Sequence, residues 1–300
     1  MTPVAGRGAD DIGISFVIGE LAARGRIVRL GPAVDAVMQA HDYPPAVARV
    51  VGEAMTLVAL LGSALKVEAT LTLQTASNGP VRRIVADFAS PGALRGLAQF
   101  DVKRLGESSL LGKGTLALTI DPGEGMERYQ GVVELAGGTL TQAALGYFER
   151  SEQIPTLLRV AVGESYARGG KRGWRAGALM VQRVAHEGGK EGLAPMREDD
   201  WRRLSLLMDT LTDDELLDPA LSPETLAFRL FNEDGVRVFH RHDFKFACRC
   251  SRERAGNILK SYSRTELADL VVAGRLTVTC EFCAKSYNFD PDELFTEVEK

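Results

Sequence analysis

Four cysteines, Cys248, Cys250, Cys280 and Cys283, are the only ones in 300 residues, and all fall near the C-terminal end. Their spacing is C-x-C, then 29 residues, then C-x-x-C. Cysteines scattered through a hydrophobic core do not pair up in this way. A chain of this length can build its own core, so a disulfide scaffold is not required for folding. Two cysteine pairs in such a chain point to a tetrahedral site of four thiolates, the usual arrangement for structural zinc. The C-x-C half suggests more than structure, since zinc ribbons and fingers mostly place two or more residues between ligands. Cysteines at i and i+2 in an extended chain have Cα atoms about 6–7 Å apart, at the upper edge of the disulfide range. The C-x-x-C half has the spacing of dithiol redox motifs. Each half can close on itself once the metal leaves, and thiolate is the form that oxidants attack. The chemistry offered is that of a metal-masked redox switch.

Short elements must position these sulfurs. Ser251 to Lys260 reads as a short helix, and Ser263-Arg264-Thr265-Glu266 as a capping box opening a second, which Gly274 is placed to end. Leu276 to Thr279 reads as a strand feeding the C-x-x-C knuckle, with Ser286 to Phe289 as the return strand and Asp290-Pro291 opening a last helix. So small a module buries little surface, and metal is expected to supply much of its stability.

Upstream, from Ile12 to Ala185, the expected class is α+β. Arg26 to Leu30 reads as a strand and Ala33 to His41 as a helix. Pro44-Pro45 starts a long helix to Leu65 with a stripe of Val47, Val50, Ala54, Leu57, Val58 and Leu61. Val67 to Thr75 and Val81 to Phe88 form a hairpin through Asn78-Gly79. Thr115 to Ile120 and Tyr129 to Leu135 flank Asp121-Pro122-Gly123, and Thr139 to Glu152 reads as helical. Thr156 to Val162 and Trp174 to Gln182 are strands around Gly169-Gly170. Strand pairs joined by turns, with helices between them, argue against a doubly wound parallel sheet.

Between Gly189 and His240 the character changes, with 12 acidic against 6 basic residues. Trp201, Leu204, Leu207, Met208 and Leu211 mark an amphipathic helix. Thr212-Asp213-Asp214-Glu215 caps a second, and Ser222-Pro223 starts a third. Helices this short are near or below the length that is stable alone in water, so they must dock their apolar faces on neighbours. The expected layout is an α+β core at 1–188, an acidic, metastable helical linker at 189–240 and a zinc-binding module at 241–300.

Other chemistries fail on inspection. Gly106 to Gly114 is a near miss to a phosphate-binding loop, with one residue too many between its glycines and Gly114 where a metal-binding hydroxyl is needed. Gly6-Arg7-Gly8 lacks the strand before it and the third glycine of a dinucleotide fingerprint. No H-E-x-x-H or G-x-S-x-G occurs, and no enzyme is expected. His240 and His242 stand near Cys248 in sequence, but four cysteines already complete a tetrahedral set; surface or packing roles are preferred for them. Apolar residues make up 45% and charged residues 25% of the chain, with a net charge of −4. This excludes a wholly disordered chain and gives no basic excess to drive phosphate binding. The N-terminus lacks the apolar core of a signal peptide, and the stretch Ala54 to Leu65 is too short to span a bilayer. A soluble, cytoplasmic protein is expected.

Several runs resemble a known family. These are Phe246-Ala-Cys-Arg-Cys-Ser-Arg-Glu-Arg254, Val278-Thr-Cys-Glu-Phe-Cys-Ala-Lys-Ser-Tyr-Asn-Phe-Asp290 and Tyr147-Phe-Glu-Arg-Ser-Glu-Gln-Ile-Pro-Thr156, with Tyr43-Pro44, Gly52-Glu53, Leu65-Lys66 and Gly177-Ala-Leu-Met-Val-Gln182. Together they resemble the redox-regulated 33 kDa heat-shock holdase chaperones of the bacterial cytoplasm, over nearly the whole chain. The departures are an N-terminal extension of several residues and Arg249, where the family often has an acidic residue.

The resemblance implies an ATP-independent holdase. Cys248, Cys250, Cys280 and Cys283 would hold one Zn2+ in the reduced, inactive state. Oxidation would join Cys248 to Cys250 and Cys280 to Cys283, release the zinc and favour a homodimer. Partners would be unfolding client proteins and, downstream, ATP-dependent refolding chaperones. The linker pattern adds a physical expectation. Melting of the zinc module, which shields the linker, would undock residues 195–235 and expose Trp201, Leu204, Leu207, Leu226, Leu230 and Phe231 to clients. The competing reading is a zinc-module nucleic-acid-binding or regulatory protein, with Arg249, Arg252, Arg254, Lys260 and Arg264 as a basic face. A solvated helix face is preferred for these residues. Salt-dependent binding to generic RNA or DNA, indifferent to oxidation, would favour that rival.

Overall fold

The computed structural model describes residues 10–19, 21–166, 172–183, 196–292 and 294. The chain is α+β and divides into two compact units, residues 1–246 and 247–300.

In the first unit, a five-stranded antiparallel sheet is built from β1 (Ile12–Ile18), β2 (Ala23–Leu30), β8 (Thr156–Tyr166), β9 (Arg172–Arg183) and β10 (Val236–Asp243), in the order β10-β1-β2-β9-β8. A six-stranded sheet holds β3 (Thr70–Ser77), β4 (Val81–Ala89), β5 (Ala93–Phe100), β6 (Lys113–Asp121), β7 (Tyr129–Ala136) and β11 (Lys245–Phe246), in the order β11-β5-β4-β3-β6-β7. Only its β11–β5 pair is parallel. Helices α1 (Pro32–His41) and α2 (Pro45–Gly62) lie between the sheets, and α2 touches β4 and β5 on one side and β2 and β9 on the other.

That sandwiched position explains why α2 is buried well beyond its predicted stripe. Ala48, Val51, Met55, Ala59 and Leu60 are as deep as Val47 and Leu57. Among the described residues α2 is the one helix long and apolar enough to cross a membrane, and 72% of that window is buried inside the protein.

The five-stranded sheet is covered on both faces. Val28, Leu30, Ala176, Ala178 and Met180 point into the core with α1 and α2. Ile14, Phe16, Ile18, Ile27, Leu179 and Val181 point the other way, under α4 (Glu198–Asp209), α5 (Asp213–Leu217) and α6 (Pro223–Phe231). The signals read for these helices act as expected. Thr212 and Glu215 form a reciprocal capping box, and Ser222 accepts from the Thr225 N–H with Pro223 in the first turn.

Several elements carry little signal in the sequence. β1 and β5 lacked a clear period-2 signal, and β10 is a charged edge strand fixed by pairing with β1 rather than by its own pattern. Because β10 and β11 belong to sheets of the first unit, the compact division falls at 246/247 rather than at 240/241. The single helix expected over 139–152 is α3 (Leu140–Tyr147) followed by a π-helical turn at Phe148–Glu152, closed by Gln153 at φ 54°. The Tyr147 hydroxyl donates to Glu152 Oε1 at 2.6 Å, so Glu152 fastens that turn. Gly106 to Gly114 is a loop leading into β6, whose Leu110 and Leu111 carbonyls accept from the Val81 and Gly79 N–H groups. The Gly169-Gly170 turn, His186 and most of the expected last helix lie outside the described residues.

Glu53 on α2 accepts from the Thr141 N–H at 2.7 Å and the Thr141 hydroxyl at 2.6 Å, tying α2 to the start of α3. Burial raises its carboxyl above the usual range despite these bonds. A raised carboxyl pKa in the fold means that the charged form costs stability, a cost absent at acid pH and complete above the folded pKa. Glu53→Gln keeps the acceptor and removes the charge. Its Tm relative to the native chain is expected to be higher at pH 7 than at pH 4, and equal differences at the two pH values would contradict this account.

Candidate metal centre

The second unit is small. It comprises α7 (Arg252–Leu259), α8 (Arg264–Ala268) and a hairpin of β12 (Leu276–Thr279) and β13 (Ser286–Phe289). Ser251 caps α7 by accepting from the Arg254 N–H at 3.1 Å. Ser263 and Glu266 form the predicted capping box, but α8 ends at Ala268, well before Gly274. A short β-bridge between Val272 and Arg275 takes over the chain there. The core is a cluster of Ala255, Leu259, Leu267, Leu276, Tyr287, Phe289 and Leu294, against which Cys250 packs.

This framework brings the four predicted cysteines together. β12 delivers Cys280, whose N–H donates to the Lys285 carbonyl at 2.9 Å, while its own carbonyl accepts from Ala284 at 2.8 Å. Ala284 closes that turn at φ 55°, and the Cys280 and Cys283 sulfurs lie within 4.8 Å of each other. Cys248 and Cys250 enter from the irregular segment before α7. All four sulfurs lie within 4.8 Å of one another, and among the described residues this is the one such group of metal-capable side chains.

The donor set fits a metal ion. Cys248 and Cys280 sulfurs are 3.6 Å apart, and those of Cys250 and Cys283 3.4 Å. A tetrahedral zinc with Zn–S bonds of about 2.3 Å needs edges of about 3.8 Å, within easy adjustment of these values. Both contacts run between the two halves of the motif, so the halves share one centre.

The sulfurs are not equivalent. Burial would raise the Cys250 thiol, but hydrogen bonds from the Tyr287 hydroxyl at 3.2 Å and from the other cysteines outweigh it and hold it at about 7. Burial and the neighbouring sulfurs push Cys283 up to about 12, and burial raises Cys248 as well. Tyr287 is the neighbour of the sulfur cluster that cysteine spacing did not reveal. Its only sequence signal is alternation along β13, which puts Tyr287 and Phe289 on the buried face. Groups that hydrogen-bond a metal ligand typically contribute 10–100-fold to metal affinity. Tyr287→Phe, which keeps the core volume, is expected to weaken metal binding by about tenfold in a chelator competition. Unchanged affinity would remove Tyr287 from the site.

The other candidates fall elsewhere. His240 and His242 stand on β10 in the first unit with ring centroids 4.4 Å apart, and burial lowers His242 below its ordinary pKa. Arg252 donates to the Asn288 carbonyl at 2.6 Å with its guanidinium over Phe289, and Arg254 donates to the Arg249 carbonyl at 2.6 Å. These two arginines brace the unit. Of the six residues expected to meet clients, Leu204, Leu226 and Phe231 are fully buried against the five-stranded sheet. Trp201, Leu207 and Leu230 are partly buried in the same cluster.

Comparison with known proteins extends the picture. A family model described as "Hsp33 protein" matches residues 11–290. A 33 kDa chaperonin of Caulobacter vibrioides is 43% identical over 293 residues, covering 94% of this chain and 95% of that protein. One of Pseudomonas fluorescens is 36% identical over 285 residues, covering 93% and 90%. A crystal structure of the 33 kDa chaperonin of Thermotoga maritima, a heat shock protein 33 homolog, superposes with a TM-score of 0.76 over 95% of this chain and 96% of that one; at 24% identity it speaks to the fold.

Proposed function

This chain belongs to the Hsp33 family, and we propose that it is a cytoplasmic, redox-regulated, ATP-independent holdase, inactive while reduced and metal-bound. The observation that carries the reading is the gathering of all four cysteines into one centre within a unit whose own apolar core is slight. Cys248, Cys250, Cys280 and Cys283 would hold Zn2+, which when bound keeps the four sulfurs as thiolates.

An oxidant such as peroxide takes two electrons from each cysteine pair, forming the Cys248–Cys250 and Cys280–Cys283 disulfides while peroxide is reduced to water. The four thiolates are then gone, and with them the cross-linking of the small unit. Cys248 follows β11 after a single residue, so loss of order at residue 248 reaches the end of β11 and then β10. β10 is an edge strand in contact with α6, and its fraying loosens the linker helices above the sheet. Undocking of α4–α6 uncovers Phe16, Ile27, Leu179 and Val181 together with the helices' own apolar faces, including Trp201, Leu204, Leu207, Leu226, Leu230 and Phe231. Unfolding proteins bind there through apolar area removed from water, at roughly 25 cal/mol per Å². The oxidised form works as a homodimer and passes clients to ATP-dependent refolding chaperones.

Light scattering of a heat-aggregating client, with reduced or peroxide-treated protein and no ATP, tests the reading. Suppression by the oxidised sample alone is expected. Equal suppression by both samples would discard the switch, and failure of both with metal loss confirmed would discard the chaperone.

A further inference from the structure

The face of the five-stranded sheet that carries α4–α6 holds two buried arginines among its apolar side chains. Arg29 on β2 is fully buried. Its Nε donates to the Leu216 carbonyl at 3.1 Å, Nη1 to the carbonyls of Asp218, at 2.7 Å, and Leu221, and Nη2 to that of Glu215 at 3.1 Å. Arg175 on β9 donates through Nε to the Leu217 carbonyl at 2.7 Å, and its two terminal nitrogens grip the Asp10 carboxylate. Two guanidiniums therefore take the backbone carbonyls of residues 215, 216, 217, 218 and 221, the end of α5 and the turn beyond it.

Those of residues 215, 216 and 217 are among the acceptors that a helix leaves unpaired at its C-terminus. α5 has five residues and cannot stand alone. A second, independent feature matches the seat. Gly177 lies directly across from Arg29 in the β2–β9 register, and a Cβ there would come within 2.8 Å of the Leu216 oxygen. Gly163 on β8 likewise leaves room for Leu217. The sheet is notched for backbone at the point where the arginines reach it.

We propose that Arg29 and Arg175, with the notch at Gly177, form a polar latch that holds the linker shut by binding the carbonyls of residues 215–221. The contact is all-or-none. A planar fork bonded to several carbonyls at once cannot slide, and departure of the linker strips a buried guanidinium of its acceptors while orphaning those acceptors. The latch adds to whatever the thiolate centre contributes to keeping the linker docked, so that weakening either one raises the open population. The latch rests on the reading of α4–α6 as a regulatory cover, but its physical content can be tested separately.

The test uses the full-length, reduced, zinc-loaded chain. Amide hydrogen exchange is followed at residues 212–221, with α2 as the internal reference. Arg29→Met is expected to speed exchange in 212–221 by ~10-fold or more with α2 unchanged. Arg29→Lys, which keeps the charge but loses the fork, should fall between. If Arg29→Met also loosens α2, the decision passes to Gly177→Ala, which wedges the seat without touching an arginine and should speed the same amides. Exchange within twofold of the native chain in both Arg29→Met and Gly177→Ala overturns the latch. Client light scattering on the same reduced samples separates the two ideas. Faster exchange with client protection supports latch and switch together. Faster exchange without protection supports the latch and sinks the linker as the switch.

Discussion

Reduced protein stripped of its metal is expected to lose the structure of the second unit while α2 and the β3–β4 pair keep theirs. The argument is one of size. Among the described residues the small unit rests on a cluster of seven buried side chains, three of them in the β12–β13 hairpin. Its helices have eight and five residues and its strands four each. Helices below about 12–15 residues are marginal alone, and so is an isolated two-stranded hairpin. The Ser251 cap, the Ser263–Glu266 capping box and the Cys280–Lys285 turn choose the local shapes but do not hold them against chain entropy. A structural zinc in small peptides is worth about 10–16 kcal/mol, more than such a core supplies. Hydrogen exchange on reduced chain before and after chelation reads the effect. The amides of residues 252–259 and 276–289 should go from protected to exchanging as in an unfolded peptide. Protection that survives chelation would show that the apolar cluster suffices, and would remove metal as the element that the proposed oxidation acts through.

The centre was legible because its chemistry is tied to spacing. C-x-C and C-x-x-C leave few geometries, and the strands flanking the knuckle, Leu276–Thr279 and Ser286–Phe289, fall where period-2 alternation places them. Helix starts were legible for a similar reason, since Thr212-x-x-Glu215 and Ser263-x-x-Glu266 are local bonds written within four residues. What escaped depends on partners distant in the chain. β10 reads Val-Arg-Val-Phe-His-Arg-His-Asp and looks like a charged loop; it is a strand because β1 offers a free edge some 220 residues earlier. Arg29 looks like one more charge on a strand, and only the arrival of residues 215–221 makes it a buried donor. Gly177 was visible as part of a motif, but the atom it makes room for, the Leu216 oxygen, belongs to a segment 39 positions away. Tyr287 lies within the cysteine block, yet its bond to Cys250 exists only when both halves of the motif meet.

Phe231→Ala is expected to release the linker helices without any oxidant. Phe231 is the last residue of α6, fully buried, with its ring stacked 6.0 Å from that of Phe16 on β1. The far end of the Phe16 ring reaches over Gly25 of the neighbouring strand, where even a Cβ would stand 2.0 Å from the ring. The sheet surface is thus shaped to accept this one pair of rings, and the site cannot easily collapse around a missing one. Truncating a buried Phe to Ala costs about 3–5 kcal/mol. The main core lies on the opposite face of the sheet, with a different set of residues. The cost therefore falls on docking of α4–α6 rather than on the fold as a whole. Opening of the linker should become roughly a hundredfold to a few thousandfold more populated. In limited proteolysis of reduced, zinc-loaded protein, cleavage between residues 209 and 223 should accelerate accordingly, and the same sample should suppress client aggregation. The control sits three residues away on the same helix. Phe228 is 59% exposed, and Phe228→Ala should change stability by less than about 0.5 kcal/mol and leave the reduced protein closed. If the two variants are cleaved at the same rate, Phe231 is not what anchors the cover. If Phe231→Ala opens the linker and clients still aggregate, the surface beneath α4–α6 is not where clients bind.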